Sequence, residues 1–64
     1  MCEANAYLLD EAGAEKLLLE SVDKVYPEED NIILESIFGE RKIIKAKIVR
    51  MELVDHRIIL QKQD

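Results

Sequence analysis

The residues able to do chemistry in this sequence are few, and the most reactive stands at its start. Cys2 is the only cysteine and follows directly on Met1. An initiator methionine is removed when the next side chain is small, so we expect the mature chain to begin at Cys2. A terminal cysteine offers an α-amine and a thiolate on adjacent carbons. Together they close a five-membered chelate ring around one metal ion. This nitrogen–sulfur pair suits nickel, copper or zinc and is poor for magnesium or calcium. A lone cysteine otherwise behaves as a small hydrophobe, and one donor residue falls far short of a metal-site spacing pattern.

Other catalytic material is thin. His56 is the single histidine, and it falls in a turn, where an imidazole is ordinarily a solvated surface group. Ser21 and Ser36 have no nucleophile-elbow or triad context. Two glycines cannot build a phosphate-cradling loop. The adjacent acids Glu28-Glu29-Asp30 form a solvated tip rather than a converging cage for a hard cation. An enzyme acting on its own is not expected.

Totals narrow the class further. A chain of 64 residues reads as one domain over residues 1–64. A core of that size supplies only about 3–5 kcal/mol of stability. A metal or a partner subunit commonly makes up the rest, and one cysteine permits no internal disulfide. The start lacks a basic segment followed by an apolar run, and no stretch reaches the ~20 apolar residues of a membrane span. A soluble cytoplasmic protein is expected. The formal charge of −5, from 14 acidic and 9 basic side chains, gives no general attraction to phosphate backbones. Five of the nine basic residues nevertheless fall between 41 and 50: Arg41, Lys42, Lys45, Lys47 and Arg50. No aromatic residues interleave with them to stack bases. An RNA-binding module built on this segment is the alternative they keep open.

The elements that must position these residues are read from periodicity. Residues 4–9 alternate, with Ala4, Ala6 and Leu8 on one face, as in a half-buried strand. Asp10 to Gly13 reads as a hairpin turn. Residues 14–26 are ambiguous. Leu18, Val22 and Val25 recur at helical spacing, whereas Leu17 to Leu19, a turn at Glu20-Ser21 and a strand from Val22 to Tyr26 match the neighbouring hairpin pattern better. We adopt strand–turn–strand. Pro27 to Asn31 is a polar turn. Ile32 to Phe38 alternates, placing Ile32, Leu34, Ser36 and Phe38 on one face, and Gly39 permits a reversal. Arg41 to Val54 reads as one long strand whose apolar phase switches from even to odd. A bulge or bend near Ile48-Val49 is needed to absorb that switch. Asp55-His56 is a turn, Arg57 to Leu60 a last strand, and Gln61 to Asp64 a frayed tail. About six short strands with frequent turns predict a small antiparallel β-barrel.

Met1-Cys2 running straight into the first strand, the size of the chain, and Ile37-Phe38-Gly39-Glu40 after a central strand together resemble the CooT family of small nickel-binding proteins. Members of that family have also carried the label of predicted RNA-binding proteins. The chain is more distantly similar to hydrogenase maturation chaperones of the HypC type, which likewise begin Met-Cys on a small β-barrel. The CooT resemblance implies a homodimer that binds nickel (Ni2+) through Cys2 and acts as a metallochaperone supplying nickel to carbon monoxide dehydrogenase. Only Cys2 carries over as a functional residue, and the family barrel supports the strand reading of residues 14–26. Two chain starts meeting on a two-fold axis would offer two amines and two thiolates, a set nickel(II) accepts in a plane. The amide nitrogen of Glu3 would be a further donor once deprotonated. The HypC likeness leaves a second alternative, a maturation scaffold in which Cys2 contacts a partner protein.

Overall fold

The computed structural model describes residues 3–63, so the expectation resting on Cys2 lies outside the described residues. The described residues form six strands in one sheet and no helix. They are β1 (Ala4–Leu9), β2 (Glu15–Pro27), β3 (Ile32–Ser36), β4 (Arg41–Ile44), β5 (Ala46–Glu52) and β6 (Arg57–Lys62). Their order is β4-β3-β2-β1-β6-β5.

Two features depart from the antiparallel barrel that the sequence predicts. The sheet is open, with β4 and β5 as its two edges. One central pair, β1 with β6, is parallel, from Asn5 opposite Arg57 to Leu9 opposite Gln61. A parallel pair cannot be joined by a tight turn and needs a long crossover. Here the whole of β2 to β5 serves as that crossover, so no local signal announces the pairing.

The first turn forms as its residues require. Asp10 accepts the N–H groups of Ala12 and Ala14 on its carboxylate, both at 2.9 Å. Gly13 sits at φ +85°, a region costly for residues with a Cβ. Beyond it, β2 runs unbroken for 13 residues, so the reversal expected at Glu20-Ser21 is absent. The two residues instead bulge. Ala4 and Ala6 of β1 face Val22 and Leu19 of β2, leaving both Glu20 and Ser21 between partners, and Ser21 adopts φ +57°. Register slips again at Leu18, which lies between the partners of Ala6 and Tyr7, and at Asp23 against β3. Extra residues on one strand bend it and raise its twist. One half of β2 therefore pairs with β1 and the other with β3.

The segment from 32 to 38 is shorter than its alternation suggests. Ile32, Leu34 and Ser36 point inward as expected, but β3 ends at Ser36 and Phe38 is 82% exposed in the following turn. Gly39, at φ +87°, turns the chain before Phe38 can continue the pattern. The run from Arg41 to Val54 is two strands, broken by a bend at Lys45. The anticipated bulge lies within β5. Ile48 faces Leu60 and Arg50 faces Ile59, so Val49 has no partner. Leu53 to His56 form the turn into β6, which extends to Lys62. Gln61 and Lys62 are thus not frayed, and the Gln63 N–H donates to the Lys45 carbonyl at 2.9 Å.

The core is Ala6, Leu19, Val22, Ile32, Leu34, Ala46, Ile58 and Leu60. Ile59 is fully buried on the opposite side of β6, flanked in register by Tyr7 and Arg50. On that side the Arg57 guanidinium stacks over the Tyr7 ring, 4.7 Å from its centroid. Arg57 also pairs with Glu15 and with Glu52, and Arg50 joins the same two carboxylates. This network ties β2, β5 and β6 across the outer face. Leu34 is fully buried in the core. Replacing it with alanine should cost about 2–5 kcal/mol by removing buried methyl groups and leaving a cavity. Urea unfolding of Leu34→Ala against the parent measures this. By contrast, Ile43→Ala at a 69% exposed edge position should change stability by less than about 0.5 kcal/mol.

Candidate functional site: the start of the first strand

The chain start carries the candidate metal donors, so the residues that fix the start of β1 define the site's surroundings. Glu3 is half-buried, and β1 begins at Ala4. Asn5 does the anchoring. Its backbone N–H donates to the His56 carbonyl at 2.8 Å. Its side-chain oxygen accepts the Ser21 N–H at 3.1 Å. The Ser21 carbonyl in turn accepts the Ile37 N–H at 2.9 Å. The β5–β6 turn, the β2 bulge and the β3–β4 turn are therefore linked through one asparagine. The positive φ of Ser21 and of His56, both +57°, belongs to these two irregular points.

A shallow cleft of about 290 Å³ lies against this start, lined by Ala4, Met51, Glu52, Leu53, His56, Arg57 and Ile58. Met51 and His56 bring a thioether and an imidazole to it, the only soft or borderline donors on its wall. Glu52 and Arg57 are committed to each other at 3.1 Å. Among the described residues, no group of three or more histidine, cysteine or acidic side chains is placed to hold a metal ion. His56 thus sits as expected in an exposed turn, while its carbonyl has a structural use that the residue type alone does not signal. The role of Asn5 was equally hidden, because an outward polar residue on a strand looks solvated.

The basic residues from 41 to 50 are divided between two strands and the bend that joins them. Arg41 and Lys42 lie on β4, Lys47 and Arg50 on β5, and these strands occupy opposite edges of the sheet. Arg41 pairs with Glu35 at 3.4 Å and lies near the Tyr26 ring, while Arg50 is held by Glu52 at 2.7 Å. Lys24 has its pKa raised, chiefly by the hydrogen bond from its ammonium to Asp23 and by that carboxylate's charge. Its side chain is about half exposed and does not line the cleft at the start of β1. Among the described residues, no helix is long and apolar enough to cross a membrane.

Comparison with known proteins gives a consistent result. Residues 1–61 match the model of the family described as CO dehydrogenase accessory protein CooT. No curated protein matches. Among solved structures, the crystal structure of a protein assigned as CooT in Carboxydothermus hydrogenoformans shares 56% identity with this chain. It superposes with a TM-score of 0.89, covering 98% of this chain and 100% of the other. A family match running through all six strands, joined to this close structural likeness, means that the chain belongs to the CooT family of CO dehydrogenase accessory proteins.

Proposed function

We propose that this protein is a nickel metallochaperone that holds Ni2+ at its N-terminal Cys2 and supplies it for the maturation of carbon monoxide dehydrogenase. The observation that carries this reading is the family match beginning at residue 1, which brings Cys2 inside the matched segment. The donor chemistry fits. After removal of Met1, the Cys2 amine and thiolate form a five-membered chelate whose nitrogen and sulfur atoms suit nickel(II). One chain fills two positions of a four-coordinate plane. Two copies related by a two-fold axis fill all four, giving one nickel per homodimer. The anchoring of Asn5 supports this arrangement, because it gives the strand that follows the proposed donor a fixed starting point. Donors at a chain terminus can also be exchanged one at a time with those of a recipient enzyme, without unfolding the sheet. The protein's task is to bind and release the ion, and the catalysis belongs to the dehydrogenase.

Three outcomes test this. Untagged protein beginning at Cys2 should bind nickel tightly, with one ion per two chains and a thiolate-to-nickel absorption band. One ion per chain would remove the two-fold site, and no binding would remove nickel altogether. Cys2→Ser should lose the band and at least about a hundredfold in affinity while its circular dichroism and unfolding midpoint stay those of the parent. Because nickel must displace a proton from the thiol and one from the ammonium, affinity should fall steadily as pH is lowered from 8 to 6. Titrations at three pH values would show it, and a flat profile would mean that other donors hold the metal.

A further inference from the structure

Phe38 is the only phenylalanine in the chain, and the fold holds it out in solvent at 82% exposure. A scattered exposed hydrophobe needs no explanation by itself. This one is unusual in how firmly it is held. Ser36, 3% exposed, is the buried polar residue of the core, and its hydroxyl accepts the N–H groups of Phe38 at 3.1 Å and Glu40 at 3.2 Å. Its carbonyl accepts the Gly39 N–H at 3.0 Å, and its own N–H donates to the Glu40 carbonyl at 2.8 Å. The Ile37 N–H is taken by Ser21. Every backbone donor from Ser36 to Glu40 is therefore occupied, and the aromatic ring is carried on a preorganised turn. A rigid aromatic loses little entropy on contact, which is what a binding anchor requires.

Beside this turn runs the first half of β2. That half pairs with β1, and β3 joins β2 only from Val22 onward. Its other edge, over residues 15–20, has no strand against it among the described residues. Alternate amides and carbonyls of an edge strand are free to pair with an added strand. A cleft of about 300 Å³ lies along this edge, walled by Leu17, Leu18, Glu20, Ser36, Phe38 and Glu40. Leu17 is 52% exposed. Among the described residues, neither Glu20 nor Glu40 is in an ion pair, whereas Glu15, Glu35 and Glu52 all are.

We propose that this edge takes an extended segment of a partner protein, added as a strand along β2 and clamped by Phe38. The segment's chemistry follows from the wall: apolar side chains toward Leu17 and Phe38, and lysine or arginine opposite Glu20 and Glu40. Main-chain hydrogen bonds would give affinity and the alternating side chains selectivity. The surface is independent of Cys2, and binding there needs no metal.

The test uses the full chain, labelled for nuclear magnetic resonance, and an acetylated peptide of alternating valine and lysine as the probe. On titration, the amides of residues 15–20 should shift and gain protection from solvent exchange. Phe38→Ala, an exposed change that leaves the other resonances in place, should weaken binding about tenfold or more. The same peptide with glutamate for lysine should bind weaker by a similar factor, and N-methylation of alternate backbone nitrogens should abolish binding. Absence of any shift at residues 15–20 with millimolar peptide overturns the proposal. So does binding indifferent to Phe38→Ala or to N-methylation. Concentration-dependent protection of the same amides without peptide would assign the edge to a second copy of this chain and overturn it as well.

Discussion

The parallel ladder between β1 and β6 is the constraint on which the remaining structure depends. It joins Asn5–Leu9 to Arg57–Gln61, residues close to the two ends of the sequence. Closing so long a loop is entropically costly, and in a chain this small nothing local repays that cost. Repayment comes from burial, since Ala6, Ile59 and Leu60 are fully buried within these two strands. With the ladder in place, β5 has a strand to pair with and the Glu15, Arg57, Glu52 and Arg50 network can span the outer face. The same ladder brings the His56 turn to the beginning of β1, where Asn5 fixes it. The start of β1 is thus held by a long-range pairing.

The second determinant is the bending of β2. Register slips at Glu20-Ser21, at Leu18 and at Asp23 let one strand serve two partners. A regular strand of 13 residues would hold one register, with its inward face fixed by a period of two. The slips allow Leu19 and Val22, three positions apart, both to be buried. They also let Leu18, Val22 and Val25, the helically spaced set that made this segment ambiguous as a sequence, all pack in or against the core. Periodicity reports which residues are buried, and a bulged strand can imitate a helix over two turns.

Legibility of the sequence follows the same division. Strands closed by local chemistry were readable: the alternation of Ala4, Ala6 and Leu8, the Asp10 turn with Gly13, and the inward set Ile32, Leu34 and Ser36. The phase switch from Ala46 and Ile48 to Met51 demanded a bulge or bend near Ile48-Val49, and the register slips between Ile48 and Arg50. The parallel β1–β6 pair was not readable, since pairing between distant segments leaves no mark on either. An open sheet was mistaken for a barrel for the same reason, because strand count and turn spacing do not say whether the edges meet. Of the proposed site, Cys2 is named by its residue type together with the family resemblance, and it lies outside the described residues. The fixing of the chain start by Asn5, Ser21 and His56 runs through backbone groups, which every residue possesses and no sequence pattern singles out.

An open sheet must protect its edges, and this gives the basic segment a physical role. Arg41 and Lys42 lie on edge strand β4, Lys47 and Arg50 on edge strand β5, and Lys45 at the bend joining them. Charged side chains, lysine above all, discourage another strand from pairing with an edge, because pairing would strip their water or bring like charges together. Val49 adds a bulge to β5, which further spoils the ladder. The clustering from 41 to 50 therefore follows from two successive strands both being edges of the sheet. The unpaired stretch of β2 is guarded differently. It carries one lysine, Lys16, ends in Glu20, and lies beside Glu40 and the exposed Phe38. Each copy of this net acidic chain meets repulsion at that edge from the acids of another, while a basic strand would not. The same physics that closes two edges to all strands leaves the third open to one kind.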